Sequence, residues 1–281
     1  MLFSSIAFSE SFSLDSSLKS NSKKCNVWLD LSTYCNASCP QCHRTNKNGL
    51  GKVEWLPLVK WSLEDFIRQF PPGSIDEVAQ FEICGTWGDP IMSKDIGKIT
   101  KYVMDNSEAE VHINTNGGMR SPTWWEDLGN YCGKRLTVYF DVDGINNEMH
   151  QKYRRGVDLQ TVLDNMEALS SGGGVVKAFT ILFKHNQNYV KDIKDMCMMY
   201  GAEHVHVIKS DRFLTSNKFE FINEDGEEDV LEAITNKSLD KIIQNPWINT
   251  ASQNAHNRHN LDTMTDNKLT GQQDDKTAYE R

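Results

Sequence analysis

Short apolar runs alternate with amphipathic segments along the chain from about residue 26 to residue 210. Runs rich in β-branched and aromatic residues predict strands, and apolar residues spaced three and four apart predict helices. The predicted strands cover residues 27–31, 78–84, 110–115, 136–142, 177–184 and 204–209. The predicted helices cover residues 62–70, 93–106, 122–131, 159–169 and 190–200. A helix therefore follows each predicted strand except the last.

The regular alternation of strands and helices predicts an α/β fold with a parallel sheet and helices packed outside it. Six strand–helix units are fewer than the eight of a closed barrel, so they favour a partial (β/α)6 TIM-like barrel. A doubly wound open sheet remains the alternative, because periodicity does not distinguish the two. In both architectures ligands bind at the carboxyl ends of the strands, so functional residues are expected there.

The polar residues of the chain are concentrated at its two ends. Residues 1–24 are rich in serine and lack a basic segment, which predicts a disordered leader and a poor signal peptide. Residues 25–213 form the predicted barrel, and residues 214–249 form a predicted helical extension with one amphipathic helix at about 227–244. Residues 250–281 are rich in amides and charges, which predicts a disordered tail.

Composition excludes several classes of protein. The 281 residues carry a formal net charge of -9, so a broad nucleic-acid-binding surface is unexpected. No apolar run approaches the roughly 18 residues of a transmembrane helix, so we expect no membrane span. The chain has seven cysteines, an odd number with three clustered, which fits a reducing compartment better than a disulfide framework. We therefore expect a cytoplasmic protein.

Three cysteines directly after the first predicted strand carry the strongest chemical signal. Cys35, Cys39 and Cys42 have the spacing C-x3-C-x2-C. Three thiolates at this spacing can hold three irons of a [4Fe-4S] cluster and leave the fourth iron open to a ligand. A zinc site that also uses His43 is the alternative, although no second pair of cysteines accompanies it. The remaining cysteines are expected to be core residues: Cys25, Cys84, Cys132 and Cys197.

Glycines and polar residues follow the next three predicted strands. The second strand ends in Cys84-Gly-Thr-Trp-Gly-Asp-Pro90, and the third in Asn114-Thr-Asn-Gly-Gly118. The fourth ends in Asp141-Val-Asp-Gly144 and is followed by His150 and Arg154. Each segment alone is compatible with a simple turn or a solvated surface. Together with the cysteines, they predict a ligand site at one edge of the sheet.

These motifs, in this order, resemble the radical S-adenosylmethionine (radical SAM) superfamily, and residues 26–213 resemble the core domain of its twitch/SPASM-type members. The resemblance implies a [4Fe-4S] cluster on Cys35, Cys39 and Cys42 whose open iron chelates the amino and carboxylate groups of SAM. One electron then cleaves SAM to a 5′-deoxyadenosyl radical, which abstracts hydrogen from a substrate. The electron comes from a donor such as a flavodoxin or ferredoxin. A peptide or protein is the favoured substrate class, and a small metabolite or nucleotide is the next.

The resemblance also implies which residues contact SAM. Gly88 and Asp89 stand in a Gly-Gly-Glu-Pro-like motif that contacts the SAM ammonium, and Thr115 stands in a Thr-Asn-Gly motif near SAM. Asp141 occupies a position that is serine in relatives and can accept from the ribose hydroxyls. Arg154 can donate to the SAM carboxylate through its forked guanidinium. No catalytic residue beyond these is assigned.

This sequence departs from the family pattern at three positions. Asp89 replaces a glutamate, Asp141 replaces a serine, and Gln41 stands where many members have an aromatic residue near the adenine. Arg155 competes with Arg154 as the SAM ligand, but its spacing from His150 is less suitable. No cysteine follows Cys197 to bind an auxiliary cluster. A catalytically weak iron-sulfur or zinc-binding scaffold protein is therefore the alternative function.

Overall fold

A seven-stranded sheet, whose spatial order follows the chain order, forms the centre of the molecule. The computed structural model describes residues 7–8, 24–213 and 215–243. The two-residue first strand pairs antiparallel with the second, and all other neighbouring strands are parallel. The strands are β1 (Ala7–Phe8), β2 (Cys25–Leu29), β3 (Val78–Ile83), β4 (Glu110–Thr115), β5 (Leu136–Asp141), β6 (Val175–Leu182) and β7 (Ala202–Lys209). Six parallel strands in sequential order confirm the partial barrel.

Helices connect the parallel strands, and the five predicted ones are present. The helices are α1 (Leu63–Gln69), α2 (Ile96–Asn106), α3 (Pro122–Cys132), α4 (Asn147–Gln151), α5 (Leu159–Ser171) and α6 (Val190–Met199). A capping box begins α1, because the Ser62 side chain accepts from the Asp65 amide while the Asp65 side chain accepts from the Ser62 amide. The short helix α4 was not predicted. It begins after Asn146, whose side chain accepts from the Met149 amide at 2.9 Å.

The two faces of the sheet differ in polarity, because successive side chains of a strand point to opposite faces. On one face Phe81, Val111 and Val138 belong to the hydrophobic core shared with the helices. On the other face the Asn114 side-chain amide donates to the Glu82 carboxylate at 2.7 Å. The helices therefore cover the apolar face, as a partial barrel requires. Among the residues that the structure describes, no helix has the length and apolar character that crossing a membrane needs.

The extension after β7 contains a hairpin of β8 (Lys218–Ile222) and β9 (Glu228–Glu232). The amphipathic helix predicted at about 227–244 is therefore wrong. Each strand of the hairpin buries one large apolar residue, Phe221 in β8 and Leu231 in β9. The turn between the strands contains Gly226 at φ +83°, which a glycine adopts without strain. Within the described residues, a short 3-10 helix, Lys237–Lys241, follows the hairpin.

The predictions for the two ends fall mostly outside the described residues. Within the predicted leader, residues 1–24, Ala7–Phe8 pairs with β2 through Ala7 and Trp28 and through Phe8 and Val27. The rest of that leader up to residue 23 lies outside the described residues, and so does the predicted tail, residues 250–281.

Candidate active site

The loop that carries Cys35, Cys39 and Cys42 begins where β2 ends, at the carboxyl edge of the parallel strands. A backbone hydrogen bond from Thr33 N to Val59 O at 2.9 Å closes the base of this long loop. Cys42 N donates to Cys39 O at 3.0 Å, so a tight turn separates the second and third cysteines. Cys39 is buried, and Cys35 and Cys42 are half-buried. The three candidate ligands therefore share one loop at the edge of the sheet where this fold binds ligands.

The environment of the cysteines suits metal binding better than nucleophilic chemistry. Burial, and to a smaller extent Asp89, raises the pKa of the Cys35 thiol to about 12. Burial also raises the pKa of Cys39, although the nearby Arg154 opposes the shift. A thiol with a raised pKa is protonated at neutral pH and is a poor nucleophile. A bound metal displaces such protons, because the thiolate is the ligand.

The number of thiols on this loop suits a cluster with one open iron. A four-iron cluster takes each thiolate on a different iron, so three cysteines leave the fourth iron free for a ligand. A zinc site on the same cysteines with His43 as a fourth ligand stays the alternative.

Gly88 allows the loop after β3 to lie directly against the cysteine-bearing loop. A Cβ atom at this position would lie 2.3 Å from Ser32 O and 2.6 Å from Tyr34 O. The next residue, Asp89, donates its backbone N–H to Tyr34 O at 2.7 Å. The requirement for glycine at residue 88 is therefore explained by the close approach of two backbones. The sequence interpretation had attributed this glycine to the approach of SAM instead.

The carboxylate of Asp89 connects the loops that follow β3 and β4. It is buried and accepts from the Thr115 hydroxyl, with 2.9 Å to each carboxylate oxygen. It also accepts from the backbone amides of Asn116 at 2.8 Å and Ile91 at 2.9 Å. Burial raises the pKa of Asp89, and these hydrogen bonds oppose the shift. Two of the predicted SAM contacts, Asp89 and Thr115, therefore lie together, and protein donors already occupy the carboxylate.

Asn116 and Asn36 join the same network, and the sequence interpretation assigned neither a role. The Asn116 side-chain amide donates to Asn36 Oδ1 at 2.8 Å and lies 3.8 Å from Cys35 Sγ. Asn116 Oδ1 in turn accepts from Gly118 N at 2.9 Å. The sequence interpretation placed this asparagine in a Thr-Asn-Gly motif near SAM, with a glycine turn as the alternative. This asparagine connects the β4 loop to the cysteine-bearing loop.

Arg154 lies between two aspartates of the loop after β5 and next to a cysteine. Its Nη1 is 2.9 Å from Asp141 Oδ2, and its Nε donates to Asp143 Oδ2 at 2.6 Å. Nη1 also lies 3.9 Å from Cys39 Sγ. Burial lowers the pKa of the guanidinium, but the neighbouring carboxylates of Asp141 and Asp143 outweigh this effect, so the pKa of Arg154 is raised well above its ordinary value. The predicted contacts Asp141 and Arg154 are thus an ion pair directly beside Cys39.

The two aspartates differ in exposure and in partners. Asp143 is fully buried, and its other oxygen accepts from Ile181 N at 2.6 Å. The Asp141 side chain is 23% exposed and presents a carboxylate toward the site. Burial raises the pKa of Asp141 to about 7, with Arg154 lowering it and Asp143 raising it. Asp143 therefore anchors the arginine, whereas the Asp141 carboxylate is the more exposed of the two.

Arg155, the competing candidate, faces the hairpin instead. It forms ion pairs with Glu224 at 2.8 Å and with Asp229, and its guanidinium lies 5.1 Å from the centre of the Phe221 ring. Its backbone oxygen accepts from Ser38 N at 3.0 Å. Arg155 therefore ties the β8–β9 hairpin to the cysteine-bearing loop and makes no contact with the aspartates beside Cys39.

Gln41 replaces the aromatic residue of many relatives and is held in a polar pocket. Its side-chain oxygen accepts from Ser210 Oγ at 2.7 Å, and its backbone oxygen accepts from Arg212 at 2.6 Å. Its side-chain nitrogen is buried and makes no hydrogen bond within the described residues. This substitution therefore connects the cysteine-bearing loop to the segment after β7 and leaves one donor for a bound ligand.

The similarity to curated relatives extends over part of this chain and over part of each relative. A protein named probable GTP 3′,8-cyclase from Methanococcus maripaludis strain C5 is 25% identical over 185 residues, which are 62% of this chain and 55% of the relative. A protein of the same name from Sulfurisphaera tokodaii is 27% identical over 208 residues, 69% of this chain and 58% of the relative. The chain thus spans less than two thirds of the length of these relatives.

Solved structures share the fold at low sequence identity. Streptococcus suis SuiB bound to the precursor peptide SuiA has a TM-score of 0.51 and 16% identity, covering 65% of this chain and 38% of SuiB. Native anSMEcpe with bound AdoMet, which is SAM, has a TM-score of 0.51 and 14% identity, covering 65% of this chain and 51% of that protein. At these identities the likeness establishes the fold alone.

A family model identifies the part of the chain that carries the site. Residues 29–197, more than half of the 281 residues, match the model of the radical SAM superfamily. The match spans the cysteine-bearing loop and every predicted SAM contact. Enzymes of this superfamily use a [4Fe-4S] cluster and SAM and require a reductant. The chain therefore belongs to the radical SAM superfamily.

Proposed function

We propose that this chain cleaves SAM reductively to a 5′-deoxyadenosyl radical that abstracts hydrogen from a substrate C–H bond. The observation that carries the proposal is the position of Cys35, Cys39 and Cys42 on one loop, flanked by the buried networks of Asp89 and Arg154. A [4Fe-4S] cluster on these thiolates would supply an open iron that chelates SAM and the electron that cleaves it.

The residues around the cysteines have separate roles in this proposal. Gly88 lets the β3 loop support the cysteine-bearing loop, and Asp89 with Thr115 fixes the β3 loop against the β4 loop. In this proposal, carbonyl and hydroxyl groups of the loops that Asp89 and Thr115 hold together accept hydrogen bonds from the SAM ammonium. Asp141, held by Arg154, accepts from the ribose hydroxyls. Arg154 acts on the SAM carboxylate mainly through its positive charge, because Nε and Nη1 are already engaged.

The proposal extends to the substrate class, the cellular location and the domain boundaries. A peptide or protein is the favoured substrate, and the structurally similar SuiB was crystallised with a precursor peptide. A nucleotide is the second candidate, because the curated relatives are named probable GTP 3′,8-cyclases. All seven cysteines are free thiols, which supports a reducing, cytoplasmic location. The barrel domain is proposed to span residues 25–213.

Anaerobic reconstitution followed by a SAM-cleavage assay tests the proposed function. The reconstituted protein is expected to bind about four irons and, with dithionite, to release 5′-deoxyadenosine and methionine. Cys35→Ala, Cys39→Ala and Cys42→Ala should each lose the iron and the activity, whereas the buried Cys197→Ala should lose neither.

Two results would reject the proposal in different ways. One zinc ion per chain, with no brown chromophore, would replace the cluster with a zinc site. A stable cluster with no SAM cleavage would favour the alternative of a catalytically weak scaffold protein.

A further inference from the structure

The face of the sheet opposite the helices carries a row of polar side chains that crosses four strands. Tyr139 of β5 pairs in register with Asn114 of β4 on one side and with Lys177 of β6 on the other. Lys177 in turn pairs with His204 of β7. Residues paired across neighbouring strands point to the same face, so these four side chains lie beside one another. We call Asn114, Tyr139, Lys177 and His204 the polar row.

The buried acidic group next to the polar row is satisfied by the protein itself. Glu82 is buried, and its carboxylate accepts from the side-chain amides of Asn114 at 2.7 Å and Gln80 at 3.0 Å. His112 Nδ1 lies 3.3 Å from the same carboxylate. A buried carboxylate with this many partners has its acceptor capacity used within the fold, so Glu82 offers little to a substrate.

The cation of the polar row has no such partner. Lys177 is half-buried, and it forms no ion pair with any carboxylate among the residues that the structure describes. Its Nζ lies 3.5 Å from the Tyr139 hydroxyl oxygen and 5.3 Å from the centre of that ring. An ammonium group has three N–H donors. Lys177 therefore has charge and donors available for an anionic ligand.

Tyr139 is held in place beside this cation and provides a second donor. Its ring stacks on the buried Phe179, with the ring centres 5.1 Å apart and an angle of 20° between the planes. Burial, with smaller contributions from Glu82 and Glu110, raises the pKa of Tyr139 to about 12. The phenol therefore keeps its proton at neutral pH and can donate it to an anion that Lys177 attracts.

These two donors lie next to the candidate SAM site. Tyr139 precedes Asp141 by two residues on the same face of β5, which is a separation of roughly 7 Å along the strand. Asp141 is paired with Arg154, whose guanidinium lies beside Cys39. A substrate held by Tyr139 and Lys177 is thus only a few bonds away from the carboxylate proposed to hold the ribose of SAM.

The charge of the surrounding groups favours a carboxylate over a chain of phosphates. Lys177 supplies one positive charge, whereas Glu82 and Glu110 both lie near enough to Tyr139 to affect its pKa. A nucleotide triphosphate carries several negative charges, and like charges placed close together repel. One cation beside two acidic groups therefore balances a singly charged carboxylate better than a triphosphate.

We propose that Lys177 and Tyr139 bind a carboxylate group of the substrate. The substrate is then a free amino acid or a peptide with an acidic residue, rather than a nucleotide. This inference rests on the proposed function, because it places the substrate beside the site of SAM cleavage. Lys177 holds the carboxylate through a charge-assisted hydrogen bond, and Tyr139 donates a second hydrogen bond. Both residues determine specificity by binding the substrate, and neither takes part in hydrogen abstraction.

Anaerobic saturation-transfer-difference NMR on the reconstituted protein with SAM measures the binding of small probes. The probes are free glutamate and the peptide N-acetyl-Ala-Glu-Ala-amide, each compared with its glutamine counterpart, and GTP. At least one glutamate probe should bind, and its glutamine counterpart should bind about tenfold more weakly or worse, because a hydrogen bond to a charged group is lost. Preference for free glutamate or for the peptide identifies the source of the carboxylate.

Variants test the two donors separately. Lys177→Gln should raise the Kd of the glutamate probe about tenfold or more, and Tyr139→Phe should raise it about three- to tenfold, because a neutral hydrogen bond contributes less. Lys177→Arg keeps the cation and should retain most of the affinity. The matched controls are Lys191→Gln on α6 and Tyr131→Phe on α3, which remove an exposed cation and an exposed hydroxyl outside the polar row. Both controls should leave the Kd unchanged.

Several results would overturn the inference. They are absence of binding by both glutamate probes, equal binding of the glutamate and glutamine probes, and a Kd that Lys177→Gln does not change. GTP binding that is tighter than either glutamate probe and is weakened by Lys177→Gln would also overturn it, because a phosphate site would replace the carboxylate site. The comparison of glutamate with glutamine uses the unmodified protein, so it does not depend on the folding of a variant. Failure of the unmodified protein to cleave SAM with dithionite would instead reject the proposed function.

Discussion

The Thr115 hydroxyl lies 2.9 Å from both carboxylate oxygens of Asp89, and this contact joins the loops after two neighbouring strands. Both residues had been interpreted as direct SAM contacts. Their arrangement indicates that they form one unit, in which the carboxylate also accepts from two backbone amides. A carboxylate with this many donors orients the surrounding backbone more than it offers free lone pairs to a ligand. The effect of either residue on SAM should therefore depend on the other.

The first prediction is that Asp89 and Thr115 are energetically coupled in SAM binding. Asp89→Ala should weaken SAM binding by about 1.5–3 kcal/mol, the range for hydrogen bonds to charged groups. Thr115→Val should weaken it less, and the double variant should show a coupling of about 0.5–3 kcal/mol. Isothermal titration calorimetry on the reconstituted protein measures all three affinities.

A buried threonine elsewhere provides the control for this cycle. Thr100→Val removes a hydroxyl that donates to Ile96 O within α2 at 2.9 Å and is not one of the donors to the Asp89 carboxylate. SAM affinity should be unchanged in that variant. Strict additivity of Asp89→Ala and Thr115→Val would show that the two residues act on SAM separately.

The second prediction concerns the packing of the two backbones at Gly88. A Cβ atom there would lie 2.3 Å from Ser32 O, a separation that requires the cysteine-bearing loop to move. Gly88→Ala should therefore lower the iron bound on reconstitution well below that of the unmodified protein. Gly51→Ala is the matched control in the same loop, because its added Cβ meets nothing within 4 Å. Full iron content in Gly88→Ala would contradict the proposed role of this contact.

The third prediction concerns the cost of removing Arg154. Arg154→Leu leaves the carboxylates of Asp141 and Asp143 without their shared cation, and Asp143 is fully buried. Breaking a buried ion pair in this way should lower the free energy of unfolding by about 3–5 kcal/mol, measured by urea denaturation.

The exposed pair Arg68–Asp65 gives the comparison for that measurement. Its arginine side chain is 67% exposed, so Arg68→Leu should change the free energy of unfolding by at most about 1 kcal/mol. Equal effects of the two substitutions would mean that the ion pairs beside Cys39 contribute no more than a surface pair.

The fourth prediction is a pH dependence of stability that arises from His150. Burial lowers the pKa of this histidine to about 4, and its Nδ1 accepts from the backbone amide of Asp143 at 3.2 Å. Between pH 6.5 and pH 4 the unfolded chain binds a proton that the folded chain does not. Stability should therefore fall as the pH falls through this window, by up to about 3 kcal/mol from this residue.

His150→Asn tests this dependence, because an asparagine oxygen can replace Nδ1 as the acceptor but does not titrate. The variant should lose less stability than the unmodified protein between pH 6.5 and pH 4.5, as measured by urea denaturation at each pH. Part of the dependence should remain, because burial also lowers the pKa of His185 to about 4. Parallel curves for the two proteins would assign the acid sensitivity to other groups.

Local signals in the sequence were sufficient for the framework of the fold, and they also predict the three cluster ligands. Strand and helix periods depend on residues close in the chain, so the six parallel strands and five of the helices could be predicted to within a few residues. The cysteines lie within eight residues of one another, so their spacing alone indicates a shared metal centre. The hairpin was not predicted, because each of its strands buries only one large apolar residue, which is too few to define a period.

Only the tertiary structure decided how the side chains of the site are used. Asp89 and Thr115 are separated by 26 residues, and Gln41 and Ser210 by 169, so no local pattern connects them. The adjacent residues Arg154 and Arg155 have the same chemistry, yet one lies beside Cys39 and the other pairs with the hairpin. The physical reason is that hydrogen bonds and ion pairs depend on three-dimensional distance and burial, which the packing of the strand-end loops determines.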